Sequence, residues 1–113
     1  MQSTYVEFTG KGTVAVETEG LSAKGLGPME VLMRNETSII SAGTELARLQ
    51  GIEPGMGFPV RPGYGSIGRV EAKGETVEGY EIGSRAFYAG KHASAQRFEH
   101  GQNHQWGHLF PVP

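Results

Sequence analysis

The sequence predicts an all-β fold, a partly open β-barrel with one or two short helices. Seven short segments have the composition of β-strands, and turn-forming Gly and Pro residues separate them. The chain has 18 glycines among 113 residues, scattered without a period, which fits many turns between short strands. A single segment has the features of a helix, so the pattern does not favour helices packed on a parallel sheet.

The first three strands are predicted over residues 5–9, 13–17 and 30–41. Gly10-Lys11-Gly12 joins the first two as a hairpin connection, because glycine tolerates the backbone angles of tight turns. The stretch 20–28 contains three Gly and one Pro and is predicted to be a loop.

The predicted helix covers residues 44–50. Thr44 could cap its N-terminus, Gly51 is expected to end it, and its apolar residues can pack against the strands. The following stretch, 52–62, holds three Pro and two Gly and is predicted to be an irregular loop.

The second half of the chain continues with short strands. They are predicted over residues 66–72, 84–89, 93–99 and 109–112, with a turn-rich crossing at 75–83. There is no internal repeat and no linker composition, so residues 1–113 are expected to form one domain.

Composition excludes several classes of function. The net charge is −2 and the ten Lys and Arg residues are dispersed, so neither nucleic acid nor an anionic membrane is an expected partner. The sequence lacks Cys and Asp, which excludes disulfides, thiolate zinc ligands and a Ser-His-Asp triad. No apolar run could cross a bilayer and no signal peptide is visible, so a cytoplasmic location is expected.

A run of three glycines, Gly63-Tyr64-Gly65-Ser66-Ile67-Gly68, formally matches the dinucleotide-binding fingerprint. That fingerprint follows a central strand and opens a helix. Here Pro59 and Pro62 precede it, and no helical pattern follows. The glycines are better explained as positions where strands approach closely at a corner of a barrel.

Several short motifs occur in a characteristic order between about residue 29 and the end of the chain. They are Ala42-Gly43-Thr44-Glu45, Gly63-Tyr64-Gly65, Gly83-Ser84-Arg85-Ala86, His92-Ala93 and Val112-Pro113. In this order they resemble the GroES-like catalytic domain of medium-chain alcohol dehydrogenases and reductases. The resemblance implies a GroES-like barrel that holds a substrate against a nicotinamide cofactor.

The chain departs from the zinc-containing members of that family at the metal ligands. At the matching positions it has Ala42, Tyr64 and Gly65, whereas catalytic zinc needs three protein donors. The resemblance is therefore to the zinc-free branch, which includes zinc-independent reductases and the bacteriochlorophyllide dehydrogenase-like group. No zinc is expected.

The resemblance also implies roles for residues of the site. Thr44 stands where the family places the hydroxyl that bonds the substrate oxygen and relays its proton, although it could equally serve as the helix cap. Tyr64 could donate a phenolic hydrogen bond, and its alternative is a space-filling aromatic ring. Glu45 is expected to hold the site together, and Gly43 and His92 are further candidates for the substrate cleft.

Three histidines, His100, His104 and His108, recur every four residues. On a helix they would share one face and could bind a transition metal. Two glycines in this stretch favour a loop or hairpin instead, with solvent-facing or hydrogen-bonded histidines.

The resulting functional prediction is the substrate-binding domain of a zinc-free dehydrogenase or reductase that uses NAD or NADP. Residues 1–113 lack a nucleotide-binding domain, so the isolated chain is expected to bind no cofactor and to be inactive. Its expected partners are a small-molecule substrate, a nucleotide-binding domain on the same or another chain, and a second copy of itself. The alternatives are a stand-alone GroES-like barrel that binds a small ligand or self-assembles, and a metal-binding module built on the histidines.

Overall fold

The structure, a computed structural model, describes residues 1–52, 57–101 and 107–113. In chain order its elements are β1 Gln2–Gly10, β2 Thr13–Gly20, β3 Glu30–Ser38, α1 Ala42–Leu49, β4 Ser66–Lys73, β5 Arg85–Tyr88, β6 Ala95–Glu99 and β7 Phe110–Pro111. Within these ranges no helix has the length and apolar composition needed to cross a bilayer.

Antiparallel pairing organises the strands into two sheets. β1 and β2 form a hairpin, and the other five form a sheet in the order β6-β3-β4-β5-β7. Backbone hydrogen bonds join the sheets, since the Val6 N–H donates to His92 O at 3.0 Å and the Ser94 N–H donates to Thr4 O at 2.8 Å. The predicted all-β, GroES-like architecture is confirmed, with one short helix in the described ranges.

The first hairpin turns where the sequence predicts it. Lys11 and Gly12 connect the strands, and Gly12 adopts a left-handed φ of 71° that disfavours other residues. Both strands run longer than predicted, because pairing continues from the turn to Gln2 opposite Gly20. Their outer parts lack a strong local strand signal and are ordered by each other.

The core lies on one face of the five-stranded sheet. Its buried residues are Val31, Met33, Val70, Val77, Tyr80, Ala86, Tyr88, Phe98 and Leu109. Inside it, the Tyr88 hydroxyl donates to Asn35 Oδ1 at 2.6 Å, and burial raises the pKa of Tyr88. The Asn35 amide in turn donates to Ala93 O at 2.8 Å, which ties the chain before β6 to β3.

The helix α1 begins earlier than predicted. Its N-cap is Ser41, so the prediction that Thr44 caps the helix is wrong. The Ser41 side chain makes no capping bond, but the Ser41 N–H donates to Glu45 Oε2 at 3.1 Å. The Glu45 carboxylate in the first turn thus accepts a backbone hydrogen bond at the start of the helix, which is part of the capping role expected of Thr44.

The end of α1 is confirmed. Gly51 has a φ of 68°, the Gly51 N–H donates to Arg48 O at 3.1 Å, and the Ile52 N–H donates to Ala47 O at 3.0 Å. This pair of bonds is a Schellman motif, in which a left-handed glycine satisfies the last carbonyls of the helix.

The strand β3 ends at Ser38, short of the predicted residue 41. One more backbone bond follows in the same register, from the Ile39 N–H to Gly65 O at 2.8 Å, before Ser41 takes the extended cap conformation of α1. The apolar run that extended the prediction is exposed at Ile40. Local hydrophobicity therefore overestimated the length of this strand.

The three-glycine run does not form a dinucleotide cradle. Ser66 opens the strand β4 rather than a helix. A Cβ built on Gly68 would lie 2.6 Å from Arg34 O on the neighbouring strand, so the two backbones need glycine there. At Gly68 the prediction that these glycines serve close strand approach is confirmed.

Candidate functional site

A cavity of about 440 Å³ opens beside the helix, and we call it the α1 cleft. The described residues that line it are Thr44, Arg48, Tyr64, Ala89 and Lys91. The structure thus brings together Thr44 and Tyr64, the two residues predicted from the sequence as catalytic. A cavity of this volume can enclose a small organic molecule.

One wall of the α1 cleft is a face of the helix. Thr44 and Arg48 are four residues apart, so their side chains project from the same side of α1. The Ser41 hydroxyl donates a long hydrogen bond of 3.4 Å to Thr44 Oγ1. Thr44 is itself exposed, which leaves its hydroxyl accessible to a ligand.

The opposite wall carries Tyr64, and the preceding glycine sets its position. Gly63 has a φ of 114°. A Cβ there would lie 2.7 Å from the His92 backbone nitrogen and 2.8 Å from Lys91 Cα. Only glycine allows this approach, and it places Tyr64 in the same wall as Lys91.

Lys91 is the half-buried cation of this wall. Burial lowers the pKa of its ammonium group, and the positive charge of Arg48 lowers that pKa further. The backbone of Lys91 is held on both sides, since its N–H donates to Gln96 Oε1 at 2.8 Å and its carbonyl accepts from Ser66 Oγ at 3.2 Å. These two hydrogen bonds fix the backbone from which the Lys91 side chain extends.

Glu45 and His92 do not line the α1 cleft but hydrogen-bond each other beside it, through Glu45 Oε1 and His92 Nε2, with side chains only 10% and 14% exposed. The other ring nitrogen, Nδ1, hydrogen-bonds Ser38 Oγ at 2.6 Å. Glu45 also accepts from the Ser41 N–H. These contacts connect the end of β3, the start of α1 and the chain before β6.

This cluster faces a second cavity, of about 370 Å³, lined by Val6, Phe8, Ser38, Ile40, Glu45, Pro62 and His92. The candidate cleft residues are consequently divided between two cavities. Gly43 is not among the described residues that line either cavity, and a Cβ added to it would meet no atom within 4 Å. The roles predicted for Gly43, Glu45 and His92 stay predictions.

Three polar or charged residues of these cavities were missed from the sequence. Arg48 had a usable signal, because it follows Thr44 by four residues in the predicted helix. Lys91 and Ser38 had none, since only the folded chain brings Lys91 near Tyr64 and Ser38 near His92.

The positions that match the zinc ligands of the family do not suit a metal. Ala42 and Gly65 carry no donor atom, and Gly65 is buried, with a hypothetical Cβ 3.1 Å from Ile39 Cδ1. Tyr64 alone offers an oxygen, whereas catalytic zinc takes three protein ligands.

The histidine cluster is described only in part, because His104 lies outside the described residues. The rings of His100 and His108 are 5.6 Å apart, edge to face. His100 Nδ1 accepts from the Leu109 N–H at 3.0 Å, and burial lowers the pKa of His100, with His108 adding to the effect. At His100 the hydrogen-bonded alternative to a metal ligand is thus present.

The chain is similar to known proteins in structure rather than in sequence. No family model matches the chain, and no curated protein matches it significantly. Among solved structures, a human synaptic vesicle membrane protein VAT-1 homolog-like protein superposes with a TM-score of 0.80 at 22% identity, covering all of this chain and 35% of the other. A putative NADPH:quinone reductase from Bacillus thuringiensis gives 0.77 at 21% identity, covering all of this chain and 34% of the other.

A mutant enoyl thioester reductase from Candida tropicalis is also similar, with a TM-score of 0.75 and 17% identity over the whole chain and 34% of the reductase. The chain therefore spans about a third of the length of the solved structures it matches. At these identities the likeness is one of fold. This chain has the fold of part of each of these larger proteins, two of which are named as reductases.

Proposed function

We propose that this chain is the substrate-binding domain of an NAD(P)-dependent reductase of the medium-chain family that works without zinc. The observation that carries the proposal is the meeting of the Thr44 and Tyr64 hydroxyls at one cavity, in a fold shared with reductases. The order of family motifs along the sequence supports it independently.

The chemistry proposed for the α1 cleft is proton donation to a substrate oxygen. A nicotinamide cofactor would supply the hydride. The Thr44 hydroxyl hydrogen-bonds the substrate oxygen and provides a proton as negative charge develops there, with the Ser41 hydroxyl next in line behind it. Tyr64 supplies a second hydroxyl from the opposite wall. Positioning between two walls replaces the Lewis acid of the zinc enzymes.

A second domain is needed to hold the nucleotide. Dinucleotide pyrophosphates bind at a Gly-rich turn between a strand and a helix, and the described residues contain no such cradle after Gly63. The reductases that match are about three times as long as this chain, which leaves room for that domain in them. We therefore propose a nucleotide-binding domain on the same or another chain, and a homo-oligomer as the working assembly.

The test is to supply the missing domain. The chain is fused to, or expressed with, a nucleotide-binding domain from a reductase of this fold, and NADPH oxidation is followed with carbonyl and enoyl substrates. We expect turnover, and we expect Thr44→Ala to lower kcat/KM by about 10-fold to 1000-fold because the proton donor is lost. Thr44→Ser keeps a hydroxyl and should retain most of the activity.

Thr18→Ala, at an exposed position of β2, is the matched control and should leave kcat/KM unchanged. Thermal unfolding of each variant separates loss of chemistry from loss of fold. Turnover that is indifferent to Thr44→Ala, with the fold intact, would contradict the role of this hydroxyl. Absence of turnover with every substrate and partner domain would favour the stand-alone ligand-binding barrel.

A further inference from the structure

We propose that the α1 cleft binds an anionic group, a carboxylate or a phosphate, at Lys91. The assignment of that group to the substrate rests on the proposed function, whereas the binding of an anion by the cleft does not. The cleft places two cationic side chains beside two hydroxyls, and none of its described lining residues is acidic. Such a surface complements a small polar molecule that carries negative charge.

The setting of Lys91 differs from that of the paired arginines of the fold. Arg61 binds Glu19 through two hydrogen bonds of 2.7 and 3.0 Å, and Arg97 binds Glu30. The described residues give the Lys91 ammonium no hydrogen-bond or ion-pair partner. A half-buried cation without a counter-ion is unfavourable, and such groups are typical of ligand sites.

Lys91 also borders a neighbouring cavity of about 300 Å³ that contains Glu19, Arg61 and Arg97. The carboxylate of Glu19 is already engaged by Arg61, so it is not available to neutralise the lysine. The described lining of the α1 cleft, by contrast, includes no carboxylate, so of the two cavities that Lys91 borders we assign the anion to this one.

The backbone makes this arrangement rigid. Gly63 packs against Lys91 Cα, and Gly90 approaches so closely that a Cβ there would lie 2.7 Å from Ser66 Oγ. Lys91 is therefore anchored between two glycines that cannot be replaced without displacement. An anion held by Lys91 in the α1 cleft would present the rest of its molecule to Thr44 and Tyr64, which line the same cavity.

Two sources could supply such an anion, namely the substrate and the phosphate of a nicotinamide nucleotide. Position favours the substrate, since Lys91 lines the same cavity as the two proposed hydroxyl donors, Thr44 and Tyr64. The experiment separates the sources by titrating the 113-residue chain with succinate, with inorganic phosphate and with nicotinamide mononucleotide, at constant ionic strength. Amide chemical shifts of Thr44 and Lys91 and thermal unfolding report binding.

We expect succinate or phosphate to shift these amides and to raise the unfolding temperature. Lys91→Met should weaken binding by about 10-fold to 100-fold, because a charged hydrogen bond is lost. Without ligand, Lys91→Met should unfold at the same or a higher temperature, because it removes a half-buried charge that repels Arg48. Lys24→Met, which removes an exposed lysine, is the matched control and should bind as the wild type does.

Equal binding by Lys91→Met and the wild type, or no binding of any anion up to tens of millimolar, would overturn the proposal. Binding of the mononucleotide alone would overturn the assignment to the substrate. These readouts need no hydride transfer, so the two proposals fail separately. A fused enzyme that is inactive but binds anions through Lys91 would refute only the proposed function.

Discussion

At the scale of single residues, Glu45 carries more contacts than any pattern in the sequence suggests. Its carboxylate pairs with His92 and also accepts from the Ser41 N–H. The family resemblance predicts that this acid holds the site together, and that role stays a prediction. No local pattern in the sequence reveals the contact between Glu45 and His92, because the two residues are 47 positions apart.

We expect Glu45→Ala to lower the free energy of unfolding by about 1–3 kcal/mol, because it leaves the nearly buried His92 ring without its partner. In a double-mutant cycle with His92→Ala the two losses should not add, since both remove the same pair. Glu17→Ala, at an exposed position of β2, is the control and should change the stability by less than about 0.5 kcal/mol. Additive losses would show that the pair contributes nothing as a pair.

At the scale of elements, local signals were sufficient where the chain makes its own turn. The Gly10–Gly12 hairpin and the stop at Gly51 are examples, because a left-handed glycine determines each. The prediction was wrong where a partner distant in sequence decides. β3 ends at Ser38, opposite Ser66, the first residue of β4, and the helix starts after Ser41 with help from Glu45.

The two glycines of the helix region should respond in opposite directions to alanine. Gly51→Ala should lower the free energy of unfolding by about 1–2 kcal/mol, because its φ of 68° is strained for a residue with a Cβ. Gly43→Ala should raise it by up to about 1 kcal/mol, since Gly43 is helical and has open space for a methyl group. Denaturant unfolding measures both, and a loss at Gly43 would point to a required close approach there.

At the scale of the whole molecule, the all-β fold could be predicted from the alternation of short strand patterns with turns. Thr44 and Tyr64, which line one cavity, could be predicted as site residues from the order of the motifs along the sequence. The cationic half of the cleft could not. Arg48 was within reach of helical periodicity, but Lys91 lines the cleft with it only once β4 and β5, the two strands between Gly63 and Lys91, have folded. The division of the candidate residues between two cavities was equally beyond sequence reasoning.

The zinc and cofactor predictions belong to this scale. Zinc added to metal-free protein should not bind tightly and stoichiometrically at Ala42, Tyr64 and Gly65, because two of these residues lack donors. NADH and NADPH should not bind the 113-residue chain at micromolar concentration, because a pyrophosphate cradle is missing from the described residues. Elemental analysis and calorimetry measure these, with a His100→Ala, His104→Ala, His108→Ala variant as the control.

Tight zinc binding that survives the triple histidine variant would contradict the interpretation of the zinc positions, whereas binding that is lost with the histidines would identify them as a metal site. Micromolar binding of a dinucleotide to the chain alone would contradict the need for a second domain.

The two glycines that clamp Lys91 have a practical meaning for protein engineering. Gly63 and Gly90 leave no space for a side chain. Most variants from a library randomised on that side of the cleft would therefore misfold. The helical side tolerates change better, since Thr44 is exposed and Arg48 is only partly buried. Attempts to retune ligand preference should therefore randomise Arg48 and its exposed neighbours on α1, and keep the opposite side as an invariant scaffold.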